Sequence, residues 1–173
     1  MNIETERLVV RSIEKGDEKV FLQMAKDGSL TEVGFDMDCS EWIDDWINEA
    51  IELTKNDDPR ADYIPCTIVD KTTDKIVGSV GCTYYEDTDS IGICYFIGAD
   101  HRKNGYATEA VKAYTGYFFD HYNEKDIIAT IKEVNTSSYK TAEGAGFKLI
   151  ETKMYKDIDD DEEELYRFYV LER

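Results

Sequence analysis

Apolar positions in this chain change their spacing several times, and each change marks an element. Glu6 to Ile13 is rich in β-branched and aliphatic residues and predicts a strand; Asp17 to Ala25 then moves to helical spacing through Val20, Phe21, Met24 and Ala25. Glu41 to Leu53 predicts a second helix, with Trp42, Ile43, Trp46, Ile47, Ala50 and Leu53 in one stripe and Ser40 as its N-cap. Asp27 to Cys39, between these helices, follows no period and is expected to be a loop that can contact a substrate.

After the polar stretch Asn56 to Arg60, three strand-like runs follow: Tyr63 to Asp70, Lys75 to Glu86 and Ser90 to Gly98. Lys71-Thr72-Thr73-Asp74 and Asp87-Thr88-Asp89 are short and polar, so these runs should pair as an antiparallel meander. The order then changes. Gly105 to Tyr122 predicts a helix with Ala107, Ala110, Val111, Tyr114, Phe118 and Tyr122 on one face, followed by a strand at Asp126 to Ile131 and a helix at Thr136 to Ala145. Strands at Phe147 to Met154 and Leu165 to Leu171 close the chain. The strand-helix-strand-helix passage implies a local parallel crossover. The expected fold class is mixed α/β (α+β): one domain over residues 1–173, a mostly antiparallel central sheet with that crossover, and about four flanking helices.

Composition narrows the partners. The formal charge of −18 repels phosphate backbones and anionic headgroups, so nucleic acid and membrane surfaces are poor partners and a cationic amine is a good one. Asp157 to Glu164, with carboxylates everywhere but Ile158, is expected to be a solvated hairpin loop, or else a lure for a cationic substrate or a divalent ion. The opening Met-Asn-Ile-Glu-Thr-Glu-Arg has no basic segment leading into an apolar one, and no apolar run nears the ~18 residues of a membrane span. A cytoplasmic protein, monomer or homodimer, is expected. Cys39, Cys66, Cys82 and Cys94 form no CxxC pair and read as buried free thiols. His101 and His121 lie too far apart in sequence to suggest a metal centre.

The stretch from Ile91 to Ala110 carries the chemistry. A strand passes through Ala99-Asp100-His101-Arg102-Lys103-Asn104 into a helix opening on Gly105-Tyr106-Ala107-Thr108, whose free N–H groups and positive dipole end suit an anion. Gly105 allows close approach, Ala107 leaves the first turn uncluttered, and Arg102 and Lys103 add charge. A tight strand-to-helix turn that holds no ligand would carry similar residues.

Arg102-Lys103-Asn104-Gly105-Tyr106-Ala107 resembles the Gln/Arg-x-x-Gly-x-Gly/Ala motif of the GNAT superfamily of N-acetyltransferases, which cradles the pyrophosphate of acetyl-CoA. Asn135-Thr136-Ser137-Ser138 with Gly146-Phe147, and the opening Thr5-Glu6-Arg7-Leu8-Val9-Val10-Arg11, are similar to elements of the branch that acetylates ribosomal-protein N-termini. These motifs span nearly the whole chain, with Asp27 to Arg60 the least covered. The resemblance implies acetyl-CoA as cosubstrate, no metal, and an amine acceptor, either a protein N-terminus or a cationic small molecule such as a polyamine or an aminoglycoside-like compound.

It also implies site residues. Backbone at Phe96, Ile97 and Gly98 would pair with the pantetheine amides; Arg102, Lys103, Asn104, Gly105, Tyr106, Ala107 and Thr108 would take the pyrophosphate; Asn135 would contact pantetheine or cap the helix after it. Ser138, with Tyr139 in reserve, would donate a proton or hydrogen bond to the leaving thiolate, whose pKa is ~8.5 if it behaves as a free thiol. Three departures stand out: Ser90-Ile91-Gly92-Ile93-Cys94 lacks the carboxylate base many relatives carry, Lys103 replaces a frequent Gly, and Gly144 stands near a frequent Lys or Arg. Glu86, or a carboxylate in the Asp27 to Asp38 loop, is the substitute base to test. Tyr155, Tyr166 and Tyr169 lie on the late strands, where they are expected to pack in the core or on the sheet, or else to wall the substrate site.

Overall fold

The computed structural model describes residues 1–36, 38–157 and 160–173, and for Glu32 the backbone alone. Eight strands form one sheet in the order β1-β2-β3-β4-β5-β6-β8-β7. In chain order these are β1 (Asn2–Glu4), β2 (Leu8–Ser12), β3 (Ile64–Asp70), β4 (Lys75–Tyr85), β5 (Ser90–Ile97), β6 (Asp126–Lys132), β7 (Lys148–Tyr155) and β8 (Glu164–Glu172). The helices are α1 (Asp17–Ala25), α2 (Ile43–Asn56), α3 (Tyr106–His121) and α4 (Thr136–Ala145). Every recorded strand pair is antiparallel except β5 and β6, which α3 connects as the expected parallel crossover. Mixed α/β architecture with a mostly antiparallel sheet is what the periodicity predicts.

Side-chain alternation gives the sheet two covered faces. Leu8, Val10, Ile68, Val80, Ile93 and Ile127 bury one face under α3 and α4, against Val111, Tyr114, Phe118 and Ala142. Phe96 on the other face meets Phe21 and Phe35 at ring-centroid distances of 5.7 and 5.3 Å, within the cluster built by α1 and α2. β5 therefore lies between both cores.

Three local features go beyond the periodicity, one of them correcting it. β1 is three residues long, too short to show a period, and exists because it pairs with β2 through Ile3 and Val10. Ser40 does not cap α2: Cys39–Glu41 closes a separate 3-10 turn through Trp42 N–H to Cys39 O at 3.2 Å, and α2 begins at Ile43 with Trp42 as its N-cap residue. The aperiodic segment from Asp27 to Cys39, whose Met37 lies outside the described residues, is anchored by Leu30, Phe35 and Cys39, which are buried in the α1/α2 core.

The acidic run is not uniformly solvated either. Ile158 and Asp159 lie outside the described residues, and 161–164 are exposed, but Asp160 pairs with Lys132 at 2.7 Å and accepts the Tyr166 hydroxyl at 2.7 Å. No disulfide forms; Cys39, Cys66 and Cys82 are buried and Cys94 is half-buried. Among the described residues no helix is long and apolar enough to cross a membrane, and no cluster of three His, Cys, Asp or Glu is placed to hold a metal ion.

One buried ion pair locks β2 to α1. Asp17, 3% exposed, takes Arg11 bidentately at 2.8 Å on each oxygen, the Thr67 hydroxyl at 2.6 Å and the Glu14 N–H at 3.2 Å. Burial works against ionisation, but the Arg11, Thr67 and Glu14 hydrogen bonds outweigh it and hold the Asp17 carboxyl below its ordinary range. D17N, which strands the Arg11 charge, should lower unfolding free energy by about 3 kcal/mol in a denaturant titration. Because the folded pKa is depressed, the pair's contribution is complete above the ordinary aspartate pKa of ~3.9 and fades as pH falls through the lower, folded value. Wild type should thus lose stability on acidification in a step that D17N lacks.

Candidate active site

The site begins where β5 and β6 part. Their parallel ladder is registered only at Gly92 and Ile128, near the start of each strand. In the antiparallel pair β4/β5, alternate residues turn N–H and C=O to opposite sides. Gly98 N–H reaches Val77 O at 3.0 Å, so Phe96 and Cys94 also address β4, while Tyr95 and Ile97 address the side that β6 has left. Of the three expected pantetheine partners, Ile97 offers its N–H, its C=O accepting Arg102 Nε at 2.9 Å; Phe96 faces β4, and the Gly98 N–H is taken. Tyr95 backbone, absent from the expectation, faces the opening.

At the C-terminal end of β5 the chain makes a 3-10 turn, Ala99–His101, and then a loop with two left-handed residues, Lys103 (φ 63°) and Gly105 (φ 77°). The first bond of α3 runs from Glu109 N–H to Gly105 O at 3.1 Å, so the N–H groups of Tyr106, Ala107 and Thr108 precede any intrahelical partner, and Gly105 supplies no side-chain cap. Backbone of this kind forms a concave nest of N–H groups that fits a phosphate. Lys103 occupies a conformation that favours glycine, which explains why Gly is frequent there in the resembled family.

A charge cluster braces this nest. Glu109, in the first turn of α3, accepts the Thr5 hydroxyl at 2.6 Å, the Arg7 N–H at 3.0 Å and Arg7 Nε at 2.7 Å; Arg7 Nη1 also holds Asn104 O at 2.8 Å. The Arg7 guanidinium lies 5.0 Å from the Tyr106 ring centroid, and the Tyr106 hydroxyl donates to Asp70 at 2.7 Å. The Thr5-Glu6-Arg7 opening and the helix start, 102 residues apart, are thus one structure. Arg102 is spent differently from expectation: besides Ile97 O it holds Ser29 O at 2.9 Å, fastening the nest to the loop after α1. Asn104 Nδ2 donates to His101 O at 3.0 Å, folding the loop on itself.

Asn135 caps α4, its Oδ1 accepting Ser138 N–H at 3.1 Å and the Ser137 hydroxyl at 3.1 Å. Ser138, half-buried in the first turn, has its C=O 2.8 Å and its Oγ 3.0 Å from the Tyr95 hydroxyl. Burial pushes that phenol up to about 12, against the opposing effect of its Ser138 hydrogen bond. Tyr139 packs on the α3/α4 core beneath Arg167, 4.1 Å from the ring centroid. Gly144 keeps α4 close to α3: a Cβ there would lie 3.4 Å from Thr108 Cγ2, leaving little room for a long side chain.

Across the sheet, Tyr85 packs on Gly92 so tightly that a Cβ at 92 would collide with its ring, and its hydroxyl accepts from Thr130 of β6 at 3.1 Å. The substitute bases sit at different ends of β5: Asp27 shares a pocket with Gly98 to His101. Glu86 is exposed in the β4–β5 turn, at the opposite end of β5; Asp27 accepts Ser29 N–H at 2.8 Å and Asp36 accepts Asp38 N–H at 2.9 Å. Tyr155, Tyr166 and Tyr169 donate to Asp87 (3.0 Å), Asp160 (2.7 Å) and Glu143 (2.8 Å), and the latter two are buried packing residues.

Residues 7–148 match the acetyltransferase (GNAT) domain family. This chain therefore belongs to the GNAT acetyltransferase family. It is 27% identical over 146 residues to the uncharacterized N-acetyltransferase p20 of Bacillus licheniformis, covering 83% of this chain and 80% of that one. Its fold is similar to that of a GNAT-family acetyltransferase from Bacillus anthracis (TM-score 0.81, 20% identity, 99% and 98% of the two chains covered). It is similar also to a Salmonella typhimurium acetyltransferase described as modifying the N-terminal serine of the 50S ribosomal subunit protein L7/L12 (TM-score 0.82, 12% identity, 100% and 99% covered).

The nest makes two predictions. K103G removes roughly 1–2 kcal/mol of left-handed strain and adds about 0.4–1 kcal/mol of unfolded-state entropy, so a denaturant titration should show a small net gain in stability. G105V places a β-branched residue at φ 77°, where its Cβ also nears Arg7 Nη2 at 3.4 Å. Calorimetry should show acetyl-CoA affinity falling at least tenfold in a protein that still unfolds cooperatively.

Proposed function

We propose that this protein transfers the acetyl group of acetyl-CoA to the α-amine of a protein N-terminus, using the β5/β6 opening for pantetheine, the nest at 102–108 for pyrophosphate and Ser138 for the leaving thiolate. Three observations support this reading: the β5 backbone at Tyr95 and Ile97 is turned to the side that β6 has left, the first-turn N–H groups of α3 have no intrahelical partner, and the Ser138 hydroxyl lies 3.0 Å from the phenol of Tyr95. The bound cosubstrate supplies an activated thioester, so the protein needs no nucleophile of its own. Open backbone on β5 aligns the pantetheine arm; the α3 N-terminus and Lys103 orient the phosphates, with Arg102 fastening the loop that carries them; Ser138 donates a hydrogen bond to sulfur as the C–S bond breaks.

Protonation arithmetic favours an α-amine. With a pKa of ~8, about a tenth of an α-amine is already neutral at pH 7, whereas a lysine-like amine near ~10.4 is neutral at less than one part in a thousand. β5 carries no carboxylate between Ser90 and Ile97, so an acceptor that sheds its proton to water suits this site better than a polyamine. The Salmonella relative's stated acceptor, a protein N-terminal serine, agrees with this choice. A charge of −18 favours an acceptor whose N-terminal segment is basic.

The test is thiol release from acetyl-CoA with peptides bearing free or blocked α-amines, beside polyamines and aminoglycosides. Turnover is expected only with free α-amines, with kcat/KM rising with pH to a plateau above ~8. Turnover on polyamines alone overturns the acceptor, and tight acetyl-CoA binding without turnover on any amine would make this a non-catalytic acyl-CoA-binding module.

A further inference from the structure

We propose that Tyr95 is the positioning residue of acetyl transfer: its phenol holds the Ser138 hydroxyl, and with it the first turn of α4, against the open side of β5. The inference rests on the reading of Ser138 given above. Tyr95 belongs to the segment of β5 where the ladder to β6 has ended, so no backbone pairing fixes the distance from β5 to α4 there. The phenol bridges that gap with two contacts on one residue, 2.8 Å to Ser138 O and 3.0 Å to Ser138 Oγ, both within the range of O–H···O bonds. Asn135 holds the Ser138 N–H from the other side at 3.1 Å, so backbone and hydroxyl of Ser138 are fixed together.

The proton count gives this arrangement two states. A carbonyl oxygen only accepts, and a phenol has one proton. When Tyr95 donates to Ser138 O, the contact to Oγ is made by the serine proton, which is then parked on the phenol oxygen. When Tyr95 donates to Oγ, the serine proton is released toward the gap and available to sulfur. Rotation about two C–O bonds interconverts the states with no heavy atom moving.

Tyr95 keeps its own proton throughout. Its phenol is pushed up to about 12 while the thiol has a pKa of ~8.5, so full transfer from tyrosine runs uphill by roughly a thousandfold or more; the serine alcohol is no stronger an acid, so Ser138 acts on sulfur by a hydrogen bond and keeps its proton as well. Tyr95 orients the donor and does not replace it. Tyr139, the reserve candidate, packs under Arg167 on the core side of the same turn.

The experiment is a double-mutant cycle of Y95F, S138A and Y95F/S138A, with kcat and the KM for acetyl-CoA measured separately. Y95F should lower kcat about 5–20-fold with KM within twofold, and the double variant should be no slower than S138A. A wild-type kcat in Y95F, or losses that multiply in the double variant, overturns the role of Tyr95 while leaving Ser138 standing. An unchanged kcat in S138A overturns the Ser138 reading itself. Site-specific 3-fluorotyrosine at position 95 keeps ring and hydroxyl, and so folds even if Phe does not. Because it keeps the donor, its kcat should stay within twofold of wild type while Y95F falls about 5–20-fold, a split that loss of ring packing would not produce; a loss equal to that of Y95F overturns the proposal.

Discussion

Sheet strands seldom leave backbone N–H and C=O groups unpaired in a molecule's interior, because each such group loses its water without gaining a partner. β5 and β6 do so after Gly92 and Ile128, and much of the architecture follows from that parting. The α3 crossover sets the strands parallel, and side chains take over what the ladder no longer does. Tyr85 joins Thr130 across the gap on one face of the sheet, and Tyr95 joins Ser138 on the other. A ligand with amide groups along an extended arm is what completes such an edge.

An anion nest in a chain of net charge −18 needs local correction. Glu109 stands in the first turn of α3, beside the proposed phosphate nest, and its hydrogen bonds to Thr5 and Arg7 hold its carboxyl below the ordinary range against the effect of burial. Arg7 answers that charge at 2.6 Å and holds Asn104 O as well, so the carboxylate fixes the loop's shape while its charge is offset on the spot. Arg102, with two backbone carbonyls of its own, adds rigidity.

Periodicity showed most of this fold plainly. α1 and α4 have the bounds their apolar spacing predicts, and each of the seven expected strands is present within a few residues. What it missed depends on contacts between distant residues. β1 exists only as a partner of β2, and Ser40 lost its capping place to a 3-10 turn closed by Trp42. Asp160 looked like one more solvated carboxylate until β6 brought Lys132 to it. In the site, the nest was legible because its chemistry is local: a glycine, small residues and a helix start. Arg102 was expected on phosphate because its charge is visible in the sequence and the carbonyls that hold it are not. The role proposed for Tyr95 was not legible because a tyrosine inside an apolar strand reads as core; in the structure Cys94 and Tyr95 are half-buried between the buried Ile93 and Phe96.

The account's central claim is that the β5/β6 opening and the α3 N-terminus together form the acetyl-CoA site. Amide hydrogen exchange with and without acetyl-CoA tests it most directly, since each group named is a backbone N–H. Protection should appear on binding at Tyr95 and Ile97 and from Lys103 to Thr108, with little change in β1, β2 and β7. Binding that leaves those amides exchanging at their free rate, or protects a different edge of the sheet, would contradict it.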